Sequence, residues 1–403
     1  MKRVVLSALL AMLLTACSSS DDKSLDKKLD SDSQEKQTSA DKPFKVKEGL
    51  FYLSDTFYSE CGLFDDENCV DVDEEVTLAP SYGYVDQTSG EVVLKIRGWI
   101  YESDANLASR FTFLSLLEGY IDASVTEPQD IERRVDPFLS TVQEDEILKI
   151  QIGQNYYEMK ASSSSGNFSG EIRLSSAEAV DIINAQGGSD AISYRIILTK
   201  ADSRVIEGEV ALLSQGGTVV ISDIDDTIKV SEVYVSKSRL LENTFYNKAR
   251  VVNAMDTLFQ DLSQNYNDIS FHFVSGSPKQ LQDTLVPFLN NSGFKIDSMY
   301  LRDFVLDVTA PELYDFFDEN STYKHKLHAI TEIITDFPQS KFILVGDTGE
   351  KDPEVYSKIY GDFTEKIEAI YFQNVSDENS SNSRMTTAFG AYADKIIWLK
   401  PTP

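Results

Sequence analysis

The stretch VVISDIDDTIKV, from Val219 to Val230, decides the fold class of the C-terminal half of this chain. An apolar run ends there in three carboxylates, Asp223, Asp225 and Asp226. A short apolar run of this kind predicts a strand buried on both faces, as in a parallel sheet covered by helices. Such sheets bind ligands beyond the carboxyl ends of their strands, so we expect these carboxylates in a binding site.

Strand and helix patterns alternate from about residue 216 onwards. Strands are predicted at 219–222, 269–274, 341–345 and 367–372, and helices near 248–264, 278–290, 326–337 and 353–360. The first helix would present one apolar face made of Val251, Val252, Met255, Leu258, Phe259 and Leu262. This alternation predicts an α/β domain with a parallel sheet at residues 215–403.

Residues 44–214 have a different pattern, in which β-branched and aromatic residues alternate in short runs between Gly, Ser and Asn turns. Five runs predict strands, at 91–101, 146–161, 167–175, 194–200 and 205–213. One inserted helix is predicted at 108–121. We therefore expect a mostly-β N-terminal domain, sandwich-like or barrel-like, in front of the α/β domain.

The first 17 residues have the form of a signal peptide. The apolar stretch 4–14 is too short to span a membrane. Its end, LTAC at 14–17, resembles the lipobox of bacterial lipoproteins, which implies acylation of Cys17, and Ser18 then favours the outer membrane facing the periplasm. An ordinary signal peptide with an incidental cysteine is the alternative.

The composition of residues 18–43 predicts a disordered tether, because these residues are mostly polar and charged and include no aromatic residue. As a flexible coil the tether would reach about 25–30 Å. We therefore expect the folded part to be held near a membrane surface by an N-terminal lipid anchor.

Cys61 and Cys69 are the remaining cysteines, and in an oxidising compartment they predict a structural disulfide. His272 is expected to be a packed strand residue, and His325 and His328 lack a third ligand for zinc.

The net charge is −29, from 66 acidic and 37 basic residues. This excludes a broad electrostatic surface for nucleic acid. The same charge opposes unassisted binding to anionic phospholipid headgroups.

Polar residues follow two more predicted strands. SGSP stands at 275–278 and GDTGEKD at 346–352. In a parallel sheet these segments and DIDDT, at 223–227, would meet at one edge.

The ordered motifs resemble the four motifs of haloacid-dehalogenase-type phosphatases, which have a Rossmann-like fold. The longer segments SDIDDTIKVSEV, FVSGSPKQL, YLRDF and FPQSKFILVGDTGEKDPEVY resemble the catalytic domain of actin-patch-type phosphatidate phosphatases. The resemblance covers residues 219–375. It implies a Mg²⁺-dependent phosphoric monoester hydrolase.

The resemblance implies a role for each motif residue. Asp223 would be the nucleophile that forms an aspartyl-phosphate, and Asp225 the general acid and base. Mg²⁺ would be held by Asp223, Asp347 and the backbone carbonyl of Asp225. Ser275 and Lys326 would bind the phosphoryl group, and Lys326 would also contact Asp223.

Several assignments stay open at this point. Lys324 competes with Lys326 as the motif lysine. Asp352 suits either a helix N-cap or the metal shell, and Arg302 suits either a surface ion pair or a substrate contact. Asp226 and Thr227 are expected mainly to shape the loop after the strand. Ser277 and Pro278 are expected to begin a helix whose N–H groups face the phosphate.

The spacing of the motifs leaves no room for a large cap domain, although residues 304–323 could form a small lid. An open site favours a bulky phosphomonoester such as the phospholipid phosphatidate. Two positions depart from the family pattern, since Thr348 replaces the usual Ser and Lys279 the common aromatic residue. The alternatives are another bulky or soluble phosphomonoester, or a non-catalytic lipoprotein that binds an envelope partner.

Overall fold

A computed structural model of the chain describes residues 51–53, 69–103, 105–121, 128, 130–160, 162–305 and 317–399. The signal peptide, the tether, Cys17 and Cys61 lie outside these ranges, as does most of the proposed lid. Cys69 is buried, and its disulfide with Cys61 stays a prediction. No helix in the described ranges has the length and apolar character needed to cross a membrane.

The N-terminal region contains one mixed sheet. Its ten strands are β1 (Phe51–Leu53), β2 (Glu74–Leu78), β3 (Ser81–Val85), β4 (Val92–Ser103), β5 (Ser140–Val142), β6 (Lys149–Ile152), β7 (Asn155–Glu158), β8 (Asn167–Leu174), β9 (Ala191–Ile196) and β10 (Glu207–Leu212). The strand order is β1-β7-β6-β9-β10-β3-β4-β2, with β5 and β8 also paired to β4. Only the β10–β3 pair among these is parallel. The prediction of a β-rich N-terminal region is confirmed.

Three helices interrupt this sheet, namely α1 (Leu107–Glu118), α2 (Ile131–Val135) and α3 (Ser176–Ala185). Helix α1 confirms the predicted inserted helix. The sequence prediction missed α3, although Ser175 and Glu178 have the spacing of a capping box. The Ser175 side chain accepts a hydrogen bond from the Glu178 N–H group and caps the helix.

The C-terminal region contains a six-stranded parallel sheet. Its strands are β11 (Thr218–Ser222), β12 (Ile269–Pro278), β13 (Ser298–Arg302), β14 (Lys341–Asp347), β15 (Ile367–Gln373) and β16 (Ile397–Leu399), in the order β13-β12-β11-β14-β15-β16. Its helices are α4 (Lys237–Leu241), α5 (Met255–Asn265), α6 (Gln282–Asn291), α7 (Glu319–Asp336), α8 (Asp352–Phe363) and α9 (Ser383–Phe389). The predicted α/β class with a parallel sheet is confirmed.

Strand β11 lies inside the sheet between β12 and β14, and all five of its residues are buried. Apolar clusters cover both faces of the sheet. One contains Phe259 and Phe273, and the other contains Ile333 and Phe342. A strand buried on both faces explains the continuous apolar run that precedes the carboxylates.

Three predicted helix starts were wrong, and the one predicted at residue 278 lies at Gln282. Helix α5 starts at Met255 instead of near residue 248, because Val251 and Val252 are extended and pair with the loop after β11. Helix α7 starts at Glu319 instead of at residue 326, because the Asp318 side chain caps it by accepting a hydrogen bond from the Asn320 N–H group. Lys326 therefore lies about two turns inside its helix.

The two sheets contact each other through a mixed apolar and charged interface. Tyr82 and Val93 belong to the same buried cluster as Ile330 of α7. Lys95 lies 2.5 Å from an Asp336 carboxylate oxygen, which also accepts a hydrogen bond from the Tyr82 hydroxyl at 2.7 Å. The N-terminal sheet is thus fixed against the helix that carries Lys326.

Candidate active site

The predicted motif residues converge at the carboxyl edge of the parallel sheet. Asp223 follows β11, and its N–H group donates to the Val345 carbonyl oxygen of neighbouring β14 at 2.9 Å. Ser275 lies in β12 on the other side of β11, and Asp347 is the last residue of β14. The parallel register therefore places all three side chains at one edge, as the sequence predicts.

Asp223 is completely buried and forms an ion pair with Lys326. Its Oδ1 atom lies 2.8 Å from the Lys326 Nζ atom, and its Oδ2 atom accepts a hydrogen bond from the Thr227 hydroxyl at 3.2 Å. Burial raises the pKa of Asp223 well above its usual value, Lys326 opposes this shift, and Asp352 adds to it. An anionic Asp223 thus depends on nearby positive charge.

Lys326 is the lysine that reaches this site. Its Nζ atom lies 2.6 Å from an Asp352 carboxylate oxygen, and its side chain is buried. Burial lowers the pKa of Lys326, but Asp223 and Asp352 together raise it well above its ordinary value. Lys324 is exposed on the same helix. Of the two candidate lysines that the sequence left open, Lys326 therefore lies at the site and Lys324 does not.

Asp223, Asp347 and Asp352 form a buried carboxylate triad, and one oxygen atom from each lies within 4.8 Å of the others. The Asp347 Oδ2 atom is buried and accepts no hydrogen bond from the described residues. Burial, followed by the charges of Asp352, Glu350 and Asp223, raises the pKa of Asp347 well above its usual value. An orphaned carboxylate oxygen in a buried acidic cluster fits a hard divalent cation.

Asp352 is not the helix N-cap, which is Lys351, and its carboxylate belongs to the acidic triad instead. It is the first residue of α8, and its side chain accepts a hydrogen bond from the Asp347 N–H group at 3.1 Å. A Cβ atom at Gly346 would lie 2.4 Å from an Asp352 carboxylate oxygen. Glycine at position 346 therefore lets Asp352 join the triad.

Asp225 lies outside the triad in a separate, fully hydrogen-bonded position. One oxygen atom contacts the Lys229 ammonium at 3.2 Å and the Ser231 hydroxyl. The other accepts hydrogen bonds from Ser275 at 3.2 Å and from Ser277 at 2.5 Å. Burial would raise the pKa of Asp225, but Lys229 and these hydroxyl groups hold it below its usual value.

Sequence reasoning missed Lys229 and gave Ser277 the wrong structural role. Lys229 belongs to the quoted DIDDTIK stretch, but its apolar neighbours gave no sign that it would turn toward Asp225. Strand β12 continues through Pro278 and a 3-10 turn follows at Lys279–Leu281, so Ser277 does not cap a helix. Its hydroxyl donates to Asp225 instead.

Asp226 shapes the loop after β11, as the sequence predicts. Its φ angle is 54°, in the left-handed region that Asp tolerates better than most residues. Its carboxylate accepts hydrogen bonds from the N–H groups of Ser231, Glu232 and Val233 at 2.6–2.9 Å. This side chain therefore holds the segment that follows the catalytic loop.

Two basic residues near the site have structural contacts that the sequence did not indicate. Arg302 is buried, and its Nε atom donates to the Gly276 carbonyl oxygen at 3.0 Å, so it is not a surface ion pair. Lys279 is also buried and donates to Asn167 at 2.8 Å and to Asp303 at 2.9 Å. Lys279 therefore points toward the N-terminal sheet.

His272 is a packed strand residue, as expected. Its two ring nitrogens lie 2.7 Å from the Ser298 hydroxyl and 3.0 Å from the Ser270 hydroxyl. Complete burial lowers the pKa of His272 to about 3. A neutral, fully hydrogen-bonded imidazole inside the sheet has no access to a substrate.

A cleft of about 280 Å³ opens over the catalytic loops. Its lining includes Asp225 and Ser277 at the base and Tyr234, Lys237 and Phe317 nearer the mouth. The cleft thus gives a ligand access to the acid–base candidate from solvent.

Glu350 also lines this cleft and was not singled out from the sequence, although it belongs to the GDTGEKD motif. One of its carboxylate oxygens lies 3.7 Å from the Lys326 Nζ atom. The pKa of Glu350 is raised to about 7, because burial and the charge of Asp352 outweigh the opposing charge of Lys326. This fourth carboxylate increases the local excess of negative charge.

Comparison with known proteins gives a match over the same segment. Residues 218–374 match the family described as phosphatidate phosphatase APP1, catalytic domain. The chain is 31% identical over 170 residues to phosphatidate phosphatase APP1 of Saccharomyces cerevisiae, covering 42% of this chain and 28% of the yeast protein. It is 25% identical over 230 residues to an uncharacterized protein of Schizosaccharomyces pombe, covering 56% of this chain and 36% of that protein.

The chain thus spans about a third of the length of these curated relatives. A family two carbohydrate esterase from Cellvibrio japonicus aligns over 80% of this chain and 96% of its own, but the TM-score is 0.20 at 8% identity, so this match carries no argument. The family match coincides with the segment that holds Asp223, Ser275, Lys326 and Asp347. Residues 218–374 of this chain are therefore similar to the catalytic domain of phosphatidate phosphatase APP1, the family that the motifs resemble.

Proposed function

We propose that this chain is a Mg²⁺-dependent phosphatidate phosphatase that works through an aspartyl-phosphate, on a haloacid-dehalogenase-type fold. The observation that carries the proposal is the buried contact between Asp223 and Lys326 beside an acidic triad, inside the matched segment. A nucleophilic carboxylate, a buried cation and a cluster of oxygen ligands are the groups that phosphoryl transfer requires.

Asp223 is the proposed nucleophile. One of its oxygens would attack the phosphorus atom, forming an O–P bond while the bond to the lipid oxygen breaks. Lys326 is placed to hold the carboxylate, since its Nζ atom lies 2.8 Å from the Asp223 Oδ1 atom. Thr227 fixes the other oxygen through a hydrogen bond. These two contacts orient Asp223 toward a substrate.

Asp225 is the proposed acid and base. It would protonate the departing lipid oxygen and later take a proton from the water that attacks the phosphorus, which releases phosphate and restores Asp223. Its contacts with Lys229, Ser231 and Ser277 favour the carboxylate form, which suits the base role. A bound phosphate would favour the protonated form, because like charge nearby raises a carboxyl pKa.

The residues of the triad fit Mg²⁺. Asp223 and Asp347 would supply carboxylate oxygens, with the Asp225 carbonyl as the predicted third protein ligand and Asp352 beside them. When bound, the cation would reduce the repulsion between the anionic nucleophile and the anionic phosphate. The orphaned Asp347 Oδ2 atom supports this assignment.

Ser275 and Ser277 are the proposed phosphoryl contacts, and Ser277 lines the cleft. Their hydroxyl groups now donate to the same Asp225 oxygen, and the Ser277 N–H group donates to the Ser275 hydroxyl at 2.9 Å. If either hydroxyl rotated toward a bound phosphate, a phosphoryl oxygen would replace the Asp225 carboxylate as its hydrogen-bond acceptor. Arg302 stabilises this segment by donating a hydrogen bond to the Gly276 carbonyl oxygen.

Phosphatidate is the proposed substrate because the matched family and the yeast relative carry that name. The open cleft above Asp225 supports a phosphomonoester attached to a bulky group. Another bulky or soluble phosphomonoester is the alternative substrate class.

Attachment to the envelope is a separate proposal that rests on the sequence. Acylation of Cys17 would place the folded part near the outer membrane, facing the periplasm, within reach of a lipid substrate. The disulfide between Cys61 and Cys69 would suit that oxidising compartment.

A substrate panel with and without EDTA tests the proposed function. We expect Mg²⁺-dependent phosphate release from phosphatidate in detergent micelles that exceeds release from sugar or nucleotide monophosphates. EDTA should abolish the release, and added Mg²⁺ should restore it. Full activity in EDTA would contradict the metal assignment, and preference for a soluble monophosphate would contradict the substrate assignment. Absence of phosphatase activity on the whole panel would favour the binding-lipoprotein alternative.

A further inference from the structure

We propose that residues 233–250, which we call the rim segment, form a surface that contacts an anionic lipid bilayer and holds the cleft against it. The proposal rests on the proposed function, because it concerns how a lipid phosphate reaches that site. It names a surface of this chain that neither the catalytic motifs nor the comparisons assign.

The rim segment forms one side of the cleft mouth. Five of its residues line the cleft, namely Val233, Tyr234, Lys237, Leu240 and Thr244. The segment follows the loop after β11. At its start the Val233 N–H group donates a hydrogen bond to the Asp226 carboxylate at 2.7 Å. The rim segment is therefore held in a fixed position relative to the acid–base candidate.

The outer side of the rim segment exposes apolar groups at the mouth. Tyr234 is 46% exposed and Val235 is 53% exposed, whereas Leu241 and Phe245 of the same segment are completely buried. Buried residues thus anchor the segment to the domain core, and its tip projects apolar side chains into solvent. These two adjacent apolar side chains beside the cleft are suited to contact an apolar environment.

The charges of the rim segment are opposite in sign to those of the whole chain. Its exposed charged residues are all basic, namely Lys237, Arg239, Lys248 and Arg250. Its one acidic residue, Glu242, is buried and pairs with Arg239 at 3.0 Å. Lys237 lines the cleft, and in a chain of net charge −29 the basic residues of the rim segment provide local complementarity to anionic headgroups.

The size of the cleft indicates where the acyl chains of a lipid substrate lie. Its volume is about 280 Å³. Pockets that enclose drug-sized ligands measure roughly 300–1,000 Å³, and a diacyl lipid is larger than such ligands. The cleft therefore accommodates the phosphate and the adjoining glycerol, and the acyl chains stay in the bilayer. A bilayer that keeps these chains must meet the protein at the cleft mouth.

Two rim variants test this inference in the full-length chain carrying Cys17→Ala, so that no acyl anchor contributes to binding. One is Val235→Asp and the other is the double variant Lys248→Gln/Arg250→Gln. The matched controls alter exposed residues of the N-terminal region, Val205→Asp and Lys160→Gln/Lys200→Gln. Each protein is assayed on phosphatidate in phosphatidylcholine vesicles and on a short-chain, monomeric phosphatidate.

We expect Val235→Asp to lower vesicle binding and vesicle turnover by about tenfold. The double variant should lower them by about thirtyfold, since each basic residue near an anionic surface contributes to attraction. Turnover of the monomeric substrate should stay at the wild-type rate, because none of these side chains lines the cleft. The controls should behave as wild type on both substrates.

Wild-type vesicle turnover in both rim variants would overturn the proposal, and so would equal losses on vesicles and on the monomeric substrate. If the wild type hydrolyses neither substrate, the proposed function fails instead. Co-sedimentation with phosphatidate-containing vesicles then tests membrane binding by the rim segment independently of turnover. Weaker sedimentation of the rim variants than of the controls would support it, and equal sedimentation would overturn it.

Discussion

At the scale of single residues, charge compensation organises the site. One buried ammonium, that of Lys326, lies among the carboxylates of Asp223, Asp352 and Glu350. Burial raises the pKa of Asp223 and of Glu350, and the neighbouring carboxylates, which outnumber the one ammonium, raise both further. Further positive charge at this site would stabilise the anionic carboxylates.

A comparison of two neighbouring lysines tests this arrangement. Lys326→Met should lower kcat on phosphatidate by about a hundredfold to a thousandfold, because it removes a preorganised positive charge from the reacting carboxylate. Lys324→Met is the matched control and should change kcat less than about twofold, since Lys324 is exposed on the same helix. Equal losses in the two variants, measured by phosphate release, would contradict the assignment.

The motif residues were predictable because their types and order reflect chemistry that a single sequence displays. The alignment of Asp223, Ser275 and Asp347 followed from the rule that parallel strands end at one edge. Lys229 and Glu350 were not predictable in the same way. Their positions depend on how the loops after β11 and β14 turn, and several tertiary contacts together determine those turns.

At the scale of elements, strand positions were predicted more accurately than helix starts. Strands β11 and β14 are buried along nearly their whole length, so their continuous apolar runs predicted nearly correct bounds. Helix α5 was predicted too long because Val251 and Val252 continue its apolar spacing, yet they pair as extended chain with the catalytic loop. Tertiary pairing overrode a local helical pattern there.

The segment after the catalytic strand β12 links the two sheets. Lys279 directly follows Pro278, and its buried ammonium donates to the Ser165 carbonyl, to Asn167 and to Asp303. Lys279 stands where the resembling family commonly has an aromatic residue. The structure directs the side chain away from the cleft and toward β8.

Replacement of this lysine tests the link. Lys279→Met should lower the free energy of unfolding by about 2 kcal/mol, because the buried acceptors lose a charged donor. Lys358→Met, which breaks an exposed ion pair with Asp362, should change it by less than about 1 kcal/mol. Urea denaturation of the two variants measures the difference. A Lys279→Met variant as stable as Lys358→Met would show that the link contributes little to the fold.

At the scale of the whole molecule, the sequence predicted the division into a β-rich region and a parallel α/β region, because the two have different hydrophobic periods. It did not predict that the two would share a buried cluster, which includes Tyr82 and Val93 from one region and Ile330 from the other. Contacts between distant segments leave no periodic signal in either segment. The N-terminal sheet and α7 are for this reason better understood as one packed unit.

Net charge alone was a poor guide to the surface around the cleft. The value of −29 argued against contact with anionic lipid, yet the exposed charges of the rim segment are basic. Attraction to a surface depends on the charges that face it, because those on other faces are screened within about 10 Å at ordinary salt. The net charge therefore does not by itself argue against the proposed lipid substrate.

The central claim is that Asp223 is the nucleophile of a phosphatidate phosphatase. The most direct measurement compares phosphate release from phosphatidate by the wild type and by Asp223→Asn at saturating Mg²⁺, with a thermal unfolding curve confirming that the variant folds. We predict Mg²⁺-dependent release by the wild type and release at background by the folded variant, because an amide cannot form the aspartyl-phosphate. A folded Asp223→Asn protein that releases phosphate at the wild-type rate would contradict the claim.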